Sequence, residues 1–309
     1  MSDSTVITVG TTGLTMDDVL AVARGNARVK ISDEALAAMA ATRARVEALA
    51  DQDTPVYGIS TGFGALATRH IPVQSRTQLQ RSLIRSHAAG SGPVVEIEVV
   101  RALMLLRLKT LCSGRTGVRP IVAETMAALL NAQITPIVHE FGSLGCSGDL
   151  APLSHCALVL MGEGRALGPD GAERPVPTLL QEAGIAPVEL VEKEGLALIN
   201  GTDGMLGMLL LAIADLELLC DSADVIAAMS VEGLLGTDQI FRPELHFPLR
   251  PHPGQAHSAA RMLDTLAGSG IVESHRLGDD RVQDAYSLRC APQVTGAVRD
   301  TVDHARTVA

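Results

Sequence analysis

The sequence predicts a mainly α protein, a bundle of long helices with a small α/β or loop-rich part at its N-terminus. Apolar residues recur at helical spacing over long stretches, above all across 202–235, where acids at 215, 217, 221 and 224 interrupt Leu, Ile and Met. Apolar residues make up 47% of the chain but aromatics only 2%, without any Trp, so Leu, Ala, Val, Met and Ile must build the core. The near-continuous apolar strand runs of a parallel α/β sheet do not occur in the sequence.

The elements follow in order. A strand-like run at 5–9 leads to a helix announced by Thr15, with Asp17 and Asp18 in its first turn. Ser32-Asp33 opens a second helix over 34–50, and a loop rich in Gly, Ser and Thr covers 51–67. Further helices are expected near 76–89, 95–110, 119–131 and 150–162. Pro169-Asp170-Gly171 marks a tight turn inside a small hairpin at 165–177, before a short helix at 178–184. After the long helix, four prolines and two histidines make 242–253 a rigid loop. Helix resumes over 255–267 and again after Arg289-Cys290, running to Ala309. We expect an N-terminal domain over 1–200 and the start of a central helical bundle over 201–309, with the rest of that bundle lacking.

Charge and composition exclude some functions. The net charge is −10, with neither a basic tail nor interleaved aromatic and basic residues, which argues against nucleic acid as partner. The start, Met1-Ser2-Asp3-Ser4, lacks the basic and apolar regions of a signal peptide, and the apolar run 204–214 is short for a membrane span. Five cysteines, at 112, 146, 156, 220 and 290, form no CxxC pair, so a reducing cytoplasm is expected. His139, His155, His246, His252 and His257 show no ligand spacing with Cys or acids, and no metal is expected. A mean hydropathy of +0.24 with 19% charged residues fits a chain that hides much of its face against partner subunits.

The chemistry concentrates in Gly142-Ser143-Leu144-Gly145-Cys146-Ser147-Gly148-Asp149-Leu150-Ala151-Pro152. Read plainly, this is a glycine-rich turn in which Asp149 caps the following helix and Pro152 sits in its first turn. Read chemically, the Gly148 nitrogen has no neighbouring Cβ to shield it. Its attack on the Cys146 carbonyl, with Ser147 losing its hydroxyl as water, would give a five-membered ring bearing an exposed methylene. The only two tyrosines both lie in small, polar segments, Tyr57 in Val56-Tyr57-Gly58-Ile59-Ser60-Thr61-Gly62 and Tyr286 in Gln283-Asp284-Ala285-Tyr286-Ser287-Leu288-Arg289. That placement suits acid–base or hydrogen-bonding work. Arg289 needs an anion, either a substrate carboxylate or a structural acid. His87 either caps the end of a helix or faces a ligand, and Asn200, beside Gly201, either caps the long helix or permits close backbone approach.

Four of these segments, in order, resemble the histidine and aromatic amino acid ammonia-lyase family: the Tyr57 loop, the Cys146-Ser147-Gly148 run continuing into Asp149-Leu150-Ala151-Pro152, Asn200-Gly201-Thr202, and Gln283 to Cys290. The resemblance implies a long-helix bundle of the ammonia-lyase/fumarase-like type. It implies that Cys146, Ser147 and Gly148 cyclise autocatalytically to 4-methylidene-imidazol-5-one (MIO), with Cys146 standing where alanine is commoner. By the same resemblance Tyr57 takes the substrate's β-proton, Asn200 and Tyr286 position the ring and the leaving amine, Gln283 lines the pocket and Arg289 grips the substrate carboxylate. The pair Ser86-His87 resembles the histidine-using branch. The expected reaction is non-oxidative loss of ammonia from L-histidine to give trans-urocanate, in a homotetramer whose sites draw on three subunits. Phenylalanine or tyrosine as substrate, an aminomutase, and an inactive fragment packing with a longer lyase are the alternatives. Relatives in this family also draw a catalytic glutamate from a helical second half. Asp203 stands where many of them have Gln.

Overall fold

A computed structural model describes residues 5–145 and 147–309; residues 1–4, read above for a leader, and Cys146 lie outside the described residues. The chain divides into two compact units, Met1–Met208 and Leu209–Ala309.

In the first unit, β1 (Val6–Val9) and β2 (Arg28–Ile31) pair in parallel across α1 (Met16–Ala23). Thr15 and Asp18 close the expected capping box on α1, and Ser32 Oγ caps α2 (Asp33–Ala50) by accepting the Ala35 N–H. Then follow α3 (Val73–His87), β3 (Ser91–Val94), α4 (Ile97–Cys112), α5 (Pro120–Asn131), β4 (Thr135–Pro136) and β5 (His139–Phe141). The unit continues with α6 (Leu150–Leu160), the hairpin β6 (Arg165–Leu167) and β7 (Glu173–Pro175), α7 (Val176–Ala183) and α8 (Glu194–Ile199). The long helix α9 (Asp203–Gly233) begins here.

Helix α4 is buried on nearly every side, as a core helix must be. Two of its buried residues are arginines. Arg101 solves its burial by donating to Val22 O (3.1 and 2.9 Å) and Leu130 O (3.2 Å), carbonyls at the C-terminal ends of α1 and α5. Cys112 and Cys156 are buried small groups, as expected, and burial pushes their thiols up to about 11 and about 12. They stay protonated and inert.

The second unit contains the remainder of α9, then α10 (Pro253–Leu266), α11 (Gly270–Ser274), α12 (Tyr286–Arg289) and α13 (Ala291–Val308). Its core is Ala228, Val231, Phe241, Met262, Leu266, Val272 and Leu288. The proline-rich loop is more ordered than expected. It holds a short helical turn at Pro243–Leu245, and buried His246 donates to Ile240 O and accepts from Gln255 Nε2, both at 2.9 Å. Phe241 is fully buried at the centre of this core. Phe241→Ala is expected to cost about 3–5 kcal/mol through lost burial and the cavity left behind, read as a lower urea midpoint.

The sequence missed some pairings. β3 and β5 are too short, and one contains Gly-Pro, for periodicity to show a ladder whose partners lie far apart in the chain. The apolar run 204–214 also belongs to a longer helical stretch, Glu194–Gly233, that by length and composition is apolar enough to cross a membrane; half of its most apolar window is buried within the protein.

Candidate active site

Four segments of the first unit converge. The Tyr57 loop is anchored from below by Val46, Ala50 and Ile59, and Ser60 Oγ accepts the Val56 N–H at 2.9 Å. Tyr57 itself is 50% exposed, its ring edge-on to Phe63 and its Oη accepting the Gly64 N–H at 3.4 Å. Gly58 has φ +72°, and a Cβ there would stand 2.5 Å from Leu196 on α8. The tyrosine loop therefore lies directly on α8, which ends at Asn200.

Asn200 is the C-terminal cap of α8, and its Nδ2 donates to Leu196 O at 2.9 Å. It does not cap the long helix. That task falls to Asp149, and here the plain reading of the ring-forming run needs correction. Asp149 makes no side-chain cap on α6, the helix it precedes. Its buried carboxylate instead accepts the Gly204 and Met205 N–H groups, at 2.8 and 3.1 Å, at the start of α9. Ser143 Oγ donates to the other oxygen at 2.6 Å. An acid at the N-terminus of a long helix gains from open donors and from the helix dipole together. Sequence spacing sees only the helix next in the chain, so this partner 55 residues away was invisible.

The ring-forming loop is wound on its own backbone. Leu144 N–H to Gly148 O, Ser147 N–H to Leu144 O, and Gly148 N–H to Gly145 O each span 3.4 Å, while Asp149 N–H reaches Gly201 O at 2.8 Å. Gly148 has φ +94°, and a Cβ there would come within 2.7 Å of Gly201 O. Only glycine fits, and its nitrogen has the freedom that ring closure requires. Ser147 is exposed. Cys146, expected to give its carbonyl, lies outside the described residues. What is visible fits the group the resemblance implies: a turn already closed between 144 and 148, a glycine nitrogen free of side-chain bulk, and an accessible serine.

His87 ends α3, half-buried, with Nδ1 at 3.0 Å from Leu83 O. A carbonyl only accepts, so Nδ1 donates its N–H to Leu83 O, and Ser86 Oγ lies 3.0 Å from the same nitrogen. Helix α3 is held to α8 by Gln80, whose Oε1 accepts the Gly195 N–H at 2.9 Å. Asp203 is buried in an ion pair with Arg107 of α4, which also donates to Ala197 O at 3.1 Å. Burial pushes the Asp203 carboxyl up, while the Arg107 guanidinium pulls it down. Thus Arg107, which sequence reading overlooked, grips both flanks of Asn200.

The remaining expected residues, Gln283, Tyr286 and Arg289, lie in the second unit. Leu288 roots their segment in the Phe241 core. Tyr286 is 73% exposed, the Arg289 guanidinium sits 4.1 Å over its ring, and Arg289 Nε has no hydrogen-bond partner among the described residues. An arginine so held keeps donor capacity for an anion. Just ahead of Gln283, Arg281 bonds Asp279 at 2.8 Å and, with its own backbone N–H, lowers that carboxyl to about 2. The contribution of this pair is present above the ordinary value of 3.8 and is lost as pH falls through about 2. An NMR titration should place the Asp279 midpoint near that value, and Arg281→Gln should return it toward 3.8. Among the described residues, no cluster of three or more His, Cys, Asp or Glu could hold a metal.

Residues 14–309 match the family model described as aromatic amino acid lyase. The chain belongs to the aromatic amino acid lyase family. It is 68% identical, over 98% of its own length and 59% of the relative's, to the histidine ammonia-lyase of Streptomyces avermitilis. It is 44% identical, over 96% of its length and 58% of the relative's, to the tyrosine ammonia-lyase of Cupriavidus metallidurans. Its fold resembles a tyrosine aminomutase from Streptomyces globisporus with a TM-score of 0.89 at 40% identity, covering 97% of this chain and 60% of that one. The chain thus spans about three-fifths of the length of the relatives it matches. The mainly helical architecture expected from the sequence is the architecture of this family.

Proposed function

We propose that this chain acts as a carbon–nitrogen lyase that removes ammonia from L-histidine to give trans-urocanate. The observation that carries the reading is the convergence of the Tyr57 loop, the Asn200 segment and the ring-forming loop, which meet at the Leu196–Gly58 and Gly148–Gly201 approaches. The 68% identity to a histidine ammonia-lyase, against 44% to a tyrosine ammonia-lyase, favours histidine as substrate.

The β-hydrogen of histidine is hardly acidic and its amine is a poor leaving group. MIO, formed from Cys146, Ser147 and Gly148, supplies the electrophile that makes the elimination feasible. Tyr57, exposed in a polar loop, takes the β-proton at its side-chain oxygen. Asn200, fixed through Leu196 O, positions the amine as it departs. By the family resemblance, the Tyr286 hydroxyl of the second unit is assigned to the amine, Gln283 to the lining of a pocket and Arg289 to a substrate carboxylate. His87, with Nδ1 committed to Leu83 O, offers Nε2 as an acceptor to the N–H of a substrate imidazole. That match favours histidine over a phenyl or phenol side chain.

We further propose a homotetramer and a cytoplasmic location. Leu218, Leu219, Ile226 and Met229 on α9 are each more than 60% exposed, an apolar face that self-association would cover. The test of substrate is spectroscopic. Urocanate absorbance should rise on adding L-histidine, with no cinnamate from L-phenylalanine and no coumarate from L-tyrosine. Product from an aromatic amino acid and none from histidine would favour the tyrosine-acting reading, which the aminomutase-like fold keeps in view.

A further inference from the structure

Residues 88–92, which lead from the end of α3 into β3, are held by two histidines from two other elements. His155 of α6 accepts the Gly90 N–H at its Nε2, at 3.2 Å. His139 of β5 donates from Nδ1 to Gly92 O at 2.9 Å. The two rings meet edge to face, with centroids 5.6 Å apart. The connector also presses on the ring-forming loop, since a Cβ at Gly142 would stand 3.3 Å from Gly90 Cα. It is therefore tied to β5, which leads into that loop, and to α6, which leaves it. Its other end is His87.

The bonding dictates protonation. Nε2 of His155 needs its lone pair to accept an N–H, so the ring is neutral with its proton on Nδ1. Burial, helped by His139, lowers the pKa of His155 and keeps it in that form. The pair borders a cavity of about 330 Å³, whose charged walls are Glu163, Arg165 and Glu173. Glu163 is bound by Arg81 and Arg85 of α3, and Arg165 pairs with Glu173, so each of these charges is answered.

We propose that His155 and His139 are positioning residues, a clamp that fixes His87 against the ring-forming loop and so sets how the substrate side chain is received. The second half of this statement rests on the reading of His87 as a substrate-binding residue. Two readouts on the full chain separate the two.

The first uses no substrate. Hydrogen exchange of the 88–92 backbone and of the imidazole C2 position of His87 is followed in wild type, His155→Ala and His155→Gln. In His155→Ala, protection of 88–92 should fall by about tenfold and His87 C2 exchange should quicken by about threefold. His155→Gln, whose amide oxygen accepts the same N–H, should retain wild-type values. Wild type taken from about pH 7.5 to a pH acid enough to protonate His155, which burial holds below the ordinary histidine range, should loosen as His155→Ala does, after correction for intrinsic rates. Unchanged exchange in His155→Ala, or in acidified wild type if that variant fails to fold, overturns the clamp.

The second readout is kinetic. His155→Ala should raise KM for L-histidine by about fivefold with kcat within about twofold, and His155→Gln should restore it. A loosened connector with KM unchanged overturns the positioning role. Wild type that gives no urocanate at all contradicts the substrate reading, and the exchange data then decide the clamp by themselves.

Discussion

Ser147→Ala is expected to lower the turnover of L-histidine by at least about a thousandfold, a loss of about 4 kcal/mol of transition-state stabilisation. The reason is chemical rather than structural. Ser147 is exposed, and the hydrogen bonds that wind its loop come from the backbone of residues 144, 145, 147 and 148 and from the Asp149 carboxylate. Removing one hydroxyl should leave stability within about 0.5 kcal/mol of wild type. It removes, however, the oxygen that must leave as water to create the methylene. Gly148→Ala should fail differently. At φ +94°, with Gly201 O only 2.7 Å from the new Cβ, it should cost about 1–3 kcal/mol and block cyclisation as well. Rates with L-histidine and urea midpoints on both variants distinguish the two outcomes. Full turnover by Ser147→Ala would remove the ring from the mechanism.

The second large effect is expected at the Arg107–Asp203 pair. Arg107 is 1% exposed and Asp203 7%, so neither charge has water to fall back on. Thr110 Oγ1 adds a bond to Asp203 at 3.3 Å. Arg107→Met or Asp203→Leu alone should cost about 3–5 kcal/mol, because each strands a buried charge. The double variant should be more stable than either single one, since replacing both partners strands no charge. The singles should also lower kcat, because Arg107 holds Ala197 O on one side of Asn200 and Asp203 on the other. Chemical denaturation of the three variants as a double-mutant cycle measures this. Single variants no less stable than the double would contradict it.

These two sites mark what could and could not be read from sequence. The residues of Cys146-Ser147-Gly148 alone left a plain glycine-rich turn and a ring precursor both open, and the resemblance of four segments in order selected the second; the φ of +94° at Gly148 came only with the structure. The long helix 203–233 was legible through its own periodicity. The capping box at Thr15 and Asp18 was legible because its partners sit three residues apart. Asp149 was misassigned to its own helix because a cap can be supplied across space to a helix far along the chain. Arg107 passed unnoticed in an apolar helix, where its acid lies 96 residues on. The His139–His155 grip on residues 88–92 likewise depends on three elements meeting, and nothing in the spacing of those histidines announces it.

The central claim is that Cys146, Ser147 and Gly148 become an electrophile without help from outside the chain. The most direct test is the mass of the proteolytic peptide that contains them. Cyclisation and dehydration each release one water, so the peptide from the full chain should be lighter than its sequence by two waters, and the same peptide from Ser147→Ala should not carry the dehydration. A wild-type peptide at its unmodified mass would contradict the account.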